Sequence, residues 1–373
     1  MSDIQIEIPL WIESIFFALY FIVFFLFVKG YNDRIIFRLK RRYTFSFLVF
    51  FMTIAVFYCL DGDYFRYKMH VERASDVYRP DTIEFVYQRL AYYIRGNYNL
   101  FRLIVWGGAI CLMAISTRLM RINVLFMLMA IYIIYYEKVV YARATLAMSI
   151  YFCGICYLIY IIQKKKLRYI AFPIIIIFLS IFFHRSMVML VLLTPSIFVP
   201  LEKKNTRFLL IILWGIIAIA LTQMDVMSAL MQNDEEYETK YEKYSNHIKG
   251  GRWAIDSLKS VVSSLFSYSL FYIPFFYITR AVSSHWRQIP ISIRRLYRIC
   301  FSVITVSTFF FFLYGRVTVY FYRTLFMTMI PISILLTYCV QSRLCSQKQI
   351  QLLLKIVFVF MFLQYMTSIY NSN

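Results

Sequence analysis

Four arginines and a histidine stand where the rest of the chain is close to hydrocarbon. Arg143, Arg185, Arg316 and Arg323 fall inside or at the edges of long apolar runs, and His184 precedes Arg185 in Phe183-His184-Arg185-Ser186. A guanidinium keeps its charge and is costly in hydrocarbon, so it faces a water-filled cavity, a partner charge or a bound anion. Arg316 and Arg323 are seven residues apart, which on an α-helix returns to nearly the same face about 10 Å further along. The spans offer these cations no matching acids, so the four together describe a place for an anion. Their planar donors suit phosphate oxygens through paired hydrogen bonds. Taken one at a time each could instead snorkel to lipid headgroups, which fits Arg316 best and Arg323 least. His184 has three available roles: general base, hydrogen-bond donor to a phosphate, or a structural imidazole tying two helices.

Carboxylates lie nearby in sequence. Asp61-Gly62-Asp63 resembles the short acidic motif that holds a divalent metal in some glycosyltransferases. No histidine or further carboxylate is spaced to complete such a site, so no metal and no cofactor is assigned. Asp63 and Glu84 remain candidate bases for a sugar hydroxyl. They belong to a stretch rich in Tyr64, Tyr67, Tyr78 and Tyr87. Rings beside carboxylates in a wet surface suit sugar binding, and an interfacial aromatic belt accounts for them equally well. The chain carries no G-x-x-x-x-G-K-[ST], H-E-x-x-H or G-x-S-x-G, which removes support for ATP-driven transport and zinc proteolysis.

The elements that must position these groups are membrane helices. The chain is 61% hydrophobic with mean hydropathy +0.65, and its apolar runs are continuous rather than alternating, which favours helices over barrel strands. Twelve spans are expected, near 11–28, 45–60, 100–116, 122–136, 139–162, 169–183, 186–199, 208–224, 258–280, 299–315, 317–340 and 350–369. The fold expected is an all-α polytopic membrane protein, one integral domain over 1–373. Basic loops 29–43, 163–168, 201–207 and 280–298 fall on one side, which is then cytoplasmic. Both termini lie outside, with outer loops 61–99 and 225–257 and the His184-Arg185 turn. Around 82–95 the first loop has an amphipathic helical pattern, and the second is read as a helix ending near Gly250-Gly251.

The segments assigned inside hold 23 lysines and arginines against Asp33 and Glu202, which accounts for the whole net charge of +21. The charge therefore reports topology and anionic membrane lipid, and gives no argument for nucleic acid. The first apolar run is long and follows acidic residues, so it reads as a retained span without a cleaved signal. Seven cysteines lie mostly within spans, and Cys153-x-x-Cys156 reads as small-residue helix packing rather than redox or metal chemistry.

Three motifs in order then resemble the O-antigen and exopolysaccharide polymerases of the Wzy/EpsG type. They are Gly62-Asp63-Tyr64-x-x-Tyr67 followed by Glu84, Arg143-Ala144-Thr145-Leu146-Ala147, and Phe183-His184-Arg185-Ser186. The resemblance covers about residues 1–335. It implies a metal-independent glycosyltransferase of the C-type architecture in the bacterial cytoplasmic (inner) membrane, with its site facing the periplasm or exterior. It implies an undecaprenyl-pyrophosphate-linked glycan as donor and a lipid-linked repeat unit as acceptor, and leaves room for a chain-length regulator protein. On this reading Arg143, Arg185, Arg316 and Arg323 hold pyrophosphate, and His184, Asp63 or Glu84 takes the acceptor proton. A lipid-linked oligosaccharide flippase, a glycan ligase and a sugar acyltransferase are the competing classes.

Overall fold

The computed structural model describes residues 10–57, 64–73, 85–139, 142–184, 186–201, 203–223, 257–314 and 325–372, and all regular structure among them is helical. The helices in chain order are α1 (Leu10–Asn32), α2 (Arg41–Phe57), α3 (Tyr64–Arg73), α4 (Phe85–Tyr93), α5 (Tyr98–Leu119), α6 (Val124–Val139), α7 (Ala142–Gln163), α8 (Ala171–Phe183), α9 (Met187–Leu193), α10 (Lys204–Gln223), α11 (Ser257–Ser284), α12 (Ile291–Tyr314), α13 (Met329–Gln341) and α14 (Gln347–Ser372). Among the described residues, three helices are long and apolar enough to cross a bilayer: Ser14–Asn32, Tyr98–Leu119 and Arg143–Gln163. Shorter apolar helices, including Leu167–Phe183 and Met187–Phe198, accompany them.

What faces outward identifies the solvent. On α8 the residues Pro173, Ile177 and Ser180 form the buried stripe, while Phe172, Ile175, Phe178, Leu179 and Phe182 are exposed. On α10 the exposed set is Phe208, Leu209, Ile212, Leu213 and Ile216. Faces this apolar are untenable in water and ordinary in lipid, so this is the surface of a membrane protein. The centre is α7, whose apolar window is 83% buried against 33% for that of α1. It packs most extensively on α5 and α8. Gly154 makes the second approach possible, since a Cβ there would stand 2.8 Å from Ile177 Cγ1 and 3.1 Å from the Ile177 backbone nitrogen.

Buried tyrosines satisfy carbonyls that helix irregularities release. Pro274, inside α11, has no N–H for the carbonyl of Leu270, and the Tyr135 hydroxyl donates to that carbonyl at 2.9 Å. Tyr135 itself leaves helical geometry (φ −123°, ψ 18°), kinking α6, and the Tyr20 hydroxyl donates to the nearby Ile133 carbonyl at 2.7 Å. In hydrocarbon such repairs must come from the protein, because no water is there to make them.

The chain reverses at His184. Its backbone is extended (φ −162°, ψ 119°), ending α8, and the Met187 N–H then donates to the His184 carbonyl at 2.9 Å as α9 begins. Tyr151, two turns down α7 from its start, donates to the Leu190 carbonyl at 2.7 Å and meets Thr194 Oγ1 at 2.9 Å. The segment after the turn therefore runs back along α7. The break between the runs 169–183 and 186–199 is a real reversal of direction, followed by a 3-10 turn over Thr194–Phe198.

Candidate functional site

Of the candidate residues, Arg143 and His184 fall among those described. Asp63, Glu84, Arg185, Arg316 and Arg323 lie outside the described residues, as do residues 225–256 of the loop 225–257. Arg143 stands in the first turn of α7, nearer the helix start than the expected span 139–162 implies. Thr145 through Met148, which follow it, are all buried, so the small residues of that motif pack into the bundle while the half-buried Arg143 sits at its end. His184 stands at the end of α8.

The structure brings these two ends together through a residue of the first large loop. Tyr87, on α4, is fully buried, and its hydroxyl donates to the Arg143 carbonyl at 2.9 Å. Its ring meets Phe183, the neighbour of His184, edge-on at 5.8 Å between centroids, and Phe101 of α5 at 5.9 Å. The amphipathic pattern near 82–95 is thus a helix with Tyr87, Gln88 and Ala91 turned inward. Phe85, Tyr92 and Tyr93 are exposed on it. The sequence shows Tyr87 as one loop aromatic among several, and its burial is the part that spacing alone conveys only through the helical period.

His184 is oriented by the residue two positions on. The Ser186 N–H donates to His184 Nδ1 at 3.3 Å, and the Ser186 hydroxyl lies 2.5 Å from the same nitrogen. A nitrogen that accepts from a backbone N–H carries no proton, so this contact favours the neutral tautomer with its proton on Nε2. In that tautomer Nε2 is a donor.

A further cation at this end escaped the sequence reading. Arg102 of α5 is only 2% exposed, and its guanidinium lies 4.9 Å from the Trp106 ring centroid and 5.7 Å from that of Tyr98. It donates to the Ala55 carbonyl at 3.1 Å. That carbonyl is in the last turn of α2, where helices leave acceptors unfilled and a positive charge is favoured. The signal was present: Tyr98, Arg102 and Trp106 follow at intervals of four, which stacks a cation between two rings on one helical face. So α2, α4, α5, α7 and α8 all contribute to one cationic, aromatic end of the bundle.

No curated protein and no solved structure is detectably similar to the chain. The sequence model of the EpsG family matches residues 40–373, a stretch that takes in the loop carrying Tyr87, the Arg143 turn and the His184 reversal. The chain belongs to the EpsG family, a family of the exopolysaccharide and O-antigen polymerase type.

Proposed function

We propose that the protein polymerises lipid-linked oligosaccharide repeat units at the outer face of the cytoplasmic membrane. The carrying observation is the meeting, through Tyr87, of the helix start bearing Arg143 with the helix end bearing His184. In the proposed reaction the acceptor sugar hydroxyl attacks the anomeric carbon of a glycan on undecaprenyl pyrophosphate. The carbon–oxygen bond to pyrophosphate breaks, and the pyrophosphate leaves with the bonding electrons. Arg143, with Arg185, Arg316 and Arg323, would neutralise that leaving group, where preorganised cations lower the barrier most. Ser186 occupies His184 Nδ1, so His184 is assigned as a donor through Nε2–H to a phosphate or sugar oxygen. The acceptor proton then goes to a carboxylate, Asp63 or Glu84. Twelve spans with both termini outside place this end of the bundle, in this reading, at the level of outer-leaflet headgroups.

The test is genetic and visible on a gel. Cells lacking the gene are expected to carry surface glycan one repeat unit long, and restoring the wild-type gene returns the ladder. Restoring it with Arg143→Ala leaves single units. A full ladder from Arg143→Ala would defeat the assignment. Absent surface glycan with precursors held inside would instead indicate a flippase.

A further inference from the structure

We infer that Tyr87 is the positioning residue that fixes Arg143 against His184, an inference that rests on the polymerase reading above. The geometry has two independent links. One is polar: the hydroxyl holds a carbonyl in the first turn of α7, 56 residues away in sequence. The other is apolar: the ring edge stands against Phe183, the residue bonded to His184. A third contact, to Phe101, seats the ring on α5. Arg143 and His184 sit on different helices, and the close approach of those helices at Gly154 and Ile177 lies further along the bundle.

The hydrogen bond is not needed to complete α7. A carbonyl there already accepts within the helix, from the N–H four residues on. Its second bond instead locates the helix start relative to α4. A buried tyrosine with ring and hydroxyl both engaged has little freedom, since its two side-chain torsions are fixed from both ends. Misplacing a reacting group by about 1 Å can lower a rate by about a hundredfold, so a small shift of this helix start is enough to be read in catalysis. A positioning residue acts in the transition state more than in binding, and its loss lowers kcat with KM largely retained.

The experiment uses the full-length protein reconstituted in vesicles with its lipid-linked repeat unit, following polymer formation over time. Tyr87→Phe keeps the ring and removes the hydroxyl that donates to the Arg143 carbonyl. It is expected to accumulate and melt like wild type, to keep KM within about twofold, and to lose roughly tenfold in kcat. Combined with Arg143→Lys, its effect should be smaller than the product of the two single effects, because both act on one element. Phe183→Leu, which removes the ring contact, should likewise lower kcat with KM retained, and it carries the test if Tyr87→Phe fails to accumulate. Full kcat in Tyr87→Phe, strictly multiplicative behaviour with Arg143→Lys, or losses that track the amount of folded protein would each overturn the inference. Wild-type protein that makes no polymer overturns the polymerase reading and this inference with it, whereas active wild type with unimpaired variants overturns this inference alone.

Discussion

His184 offers the sharpest question at the scale of one residue, because its two ring nitrogens lead to opposite chemistry. With Ser186 engaging Nδ1, the ring presents Nε2–H, and a glutamine amide can place a donor at nearly that position. An asparagine amide reaches only to the Nδ1 position. His184→Gln is therefore expected to keep activity within about tenfold of wild type, and His184→Asn and His184→Ala to lose about a hundredfold. The rates are measured on reconstituted protein between pH 5 and 8 (about the range in which an unperturbed imidazole titrates). Equal collapse of all three variants, with wild type gaining rate as an imidazole deprotonates, would return His184 to the role of base. The sequence displays His184 and Ser186 side by side but not the direction of the bond between them, which depends on the backbone turn. Arg102 shows the reverse case. Its spacing from Tyr98 and Trp106 was readable, but its acceptor on α2 is 47 residues away and belongs to tertiary structure.

Among the elements, α7 and α8 decide how Arg143 and His184 face each other, and a pair of glycines separates packing from propensity. A Cβ on Gly154 would stand 3.1 Å from the backbone of Ile177, and backbone cannot swing aside as a side chain can. A Cβ on Gly108 would meet Leu146 Cδ1 at 3.6 Å, an ordinary contact. Gly154→Ala is therefore expected to destabilise by about 1–3 kcal/mol and to lower polymerisation by spreading α7 from α8. Gly108→Ala should be neutral or stabilise by about 0.5–1 kcal/mol, since glycine weakens a helix interior. Unfolding of the two variants in one detergent compares them directly, and equal shifts would mean that the close approach at Gly154 is not what matters. The apolar runs made the helices themselves legible, and Cys153-x-x-Cys156 flanks this same glycine, with both cysteines buried and free as thiols. Helix ends were less legible. The run 122–136 gives no sign of the kink at Tyr135, because the groups that meet it, the Tyr20 hydroxyl and the Leu270 carbonyl freed by Pro274, come from other helices.

For the whole molecule, the distribution of charge and the reversal at His184 make one connected claim about which side each loop occupies. Among the described residues, the non-glycine positions with positive φ are Arg34, Arg95, Arg121, Lys165 and Arg343, all just past helix ends. Glycine would relieve a strain of about 1–2 kcal/mol at each. A basic residue there instead complements the helix dipole, and all but Arg95 lie in loops assigned to the cytoplasmic face, where positive charge sets orientation. Lys165 and Arg287 are both exposed, and between them run α8, the α9 segment, α10 and α11. Read as four crossings, as the twelve-span expectation has them, these segments return the chain to the side it left. Were residues 169–199 a single span, the count would be three and the two positions would lie on opposite sides. A membrane-impermeant thiol reagent is therefore expected to label Lys165→Cys and Arg287→Cys only after spheroplasts are opened, and to label Tyr93→Cys, 75% exposed on α4, in intact ones. Labelling of Lys165→Cys and Arg287→Cys from opposite faces would mean that the turn at His184 does not send the chain back across the membrane, and the outward-facing pyrophosphate site would lose its topological basis. Labelling of Tyr93→Cys only from within would keep the reversal but invert the bundle, placing the Arg143 end where a repeat unit already carried to the outer leaflet could not reach it.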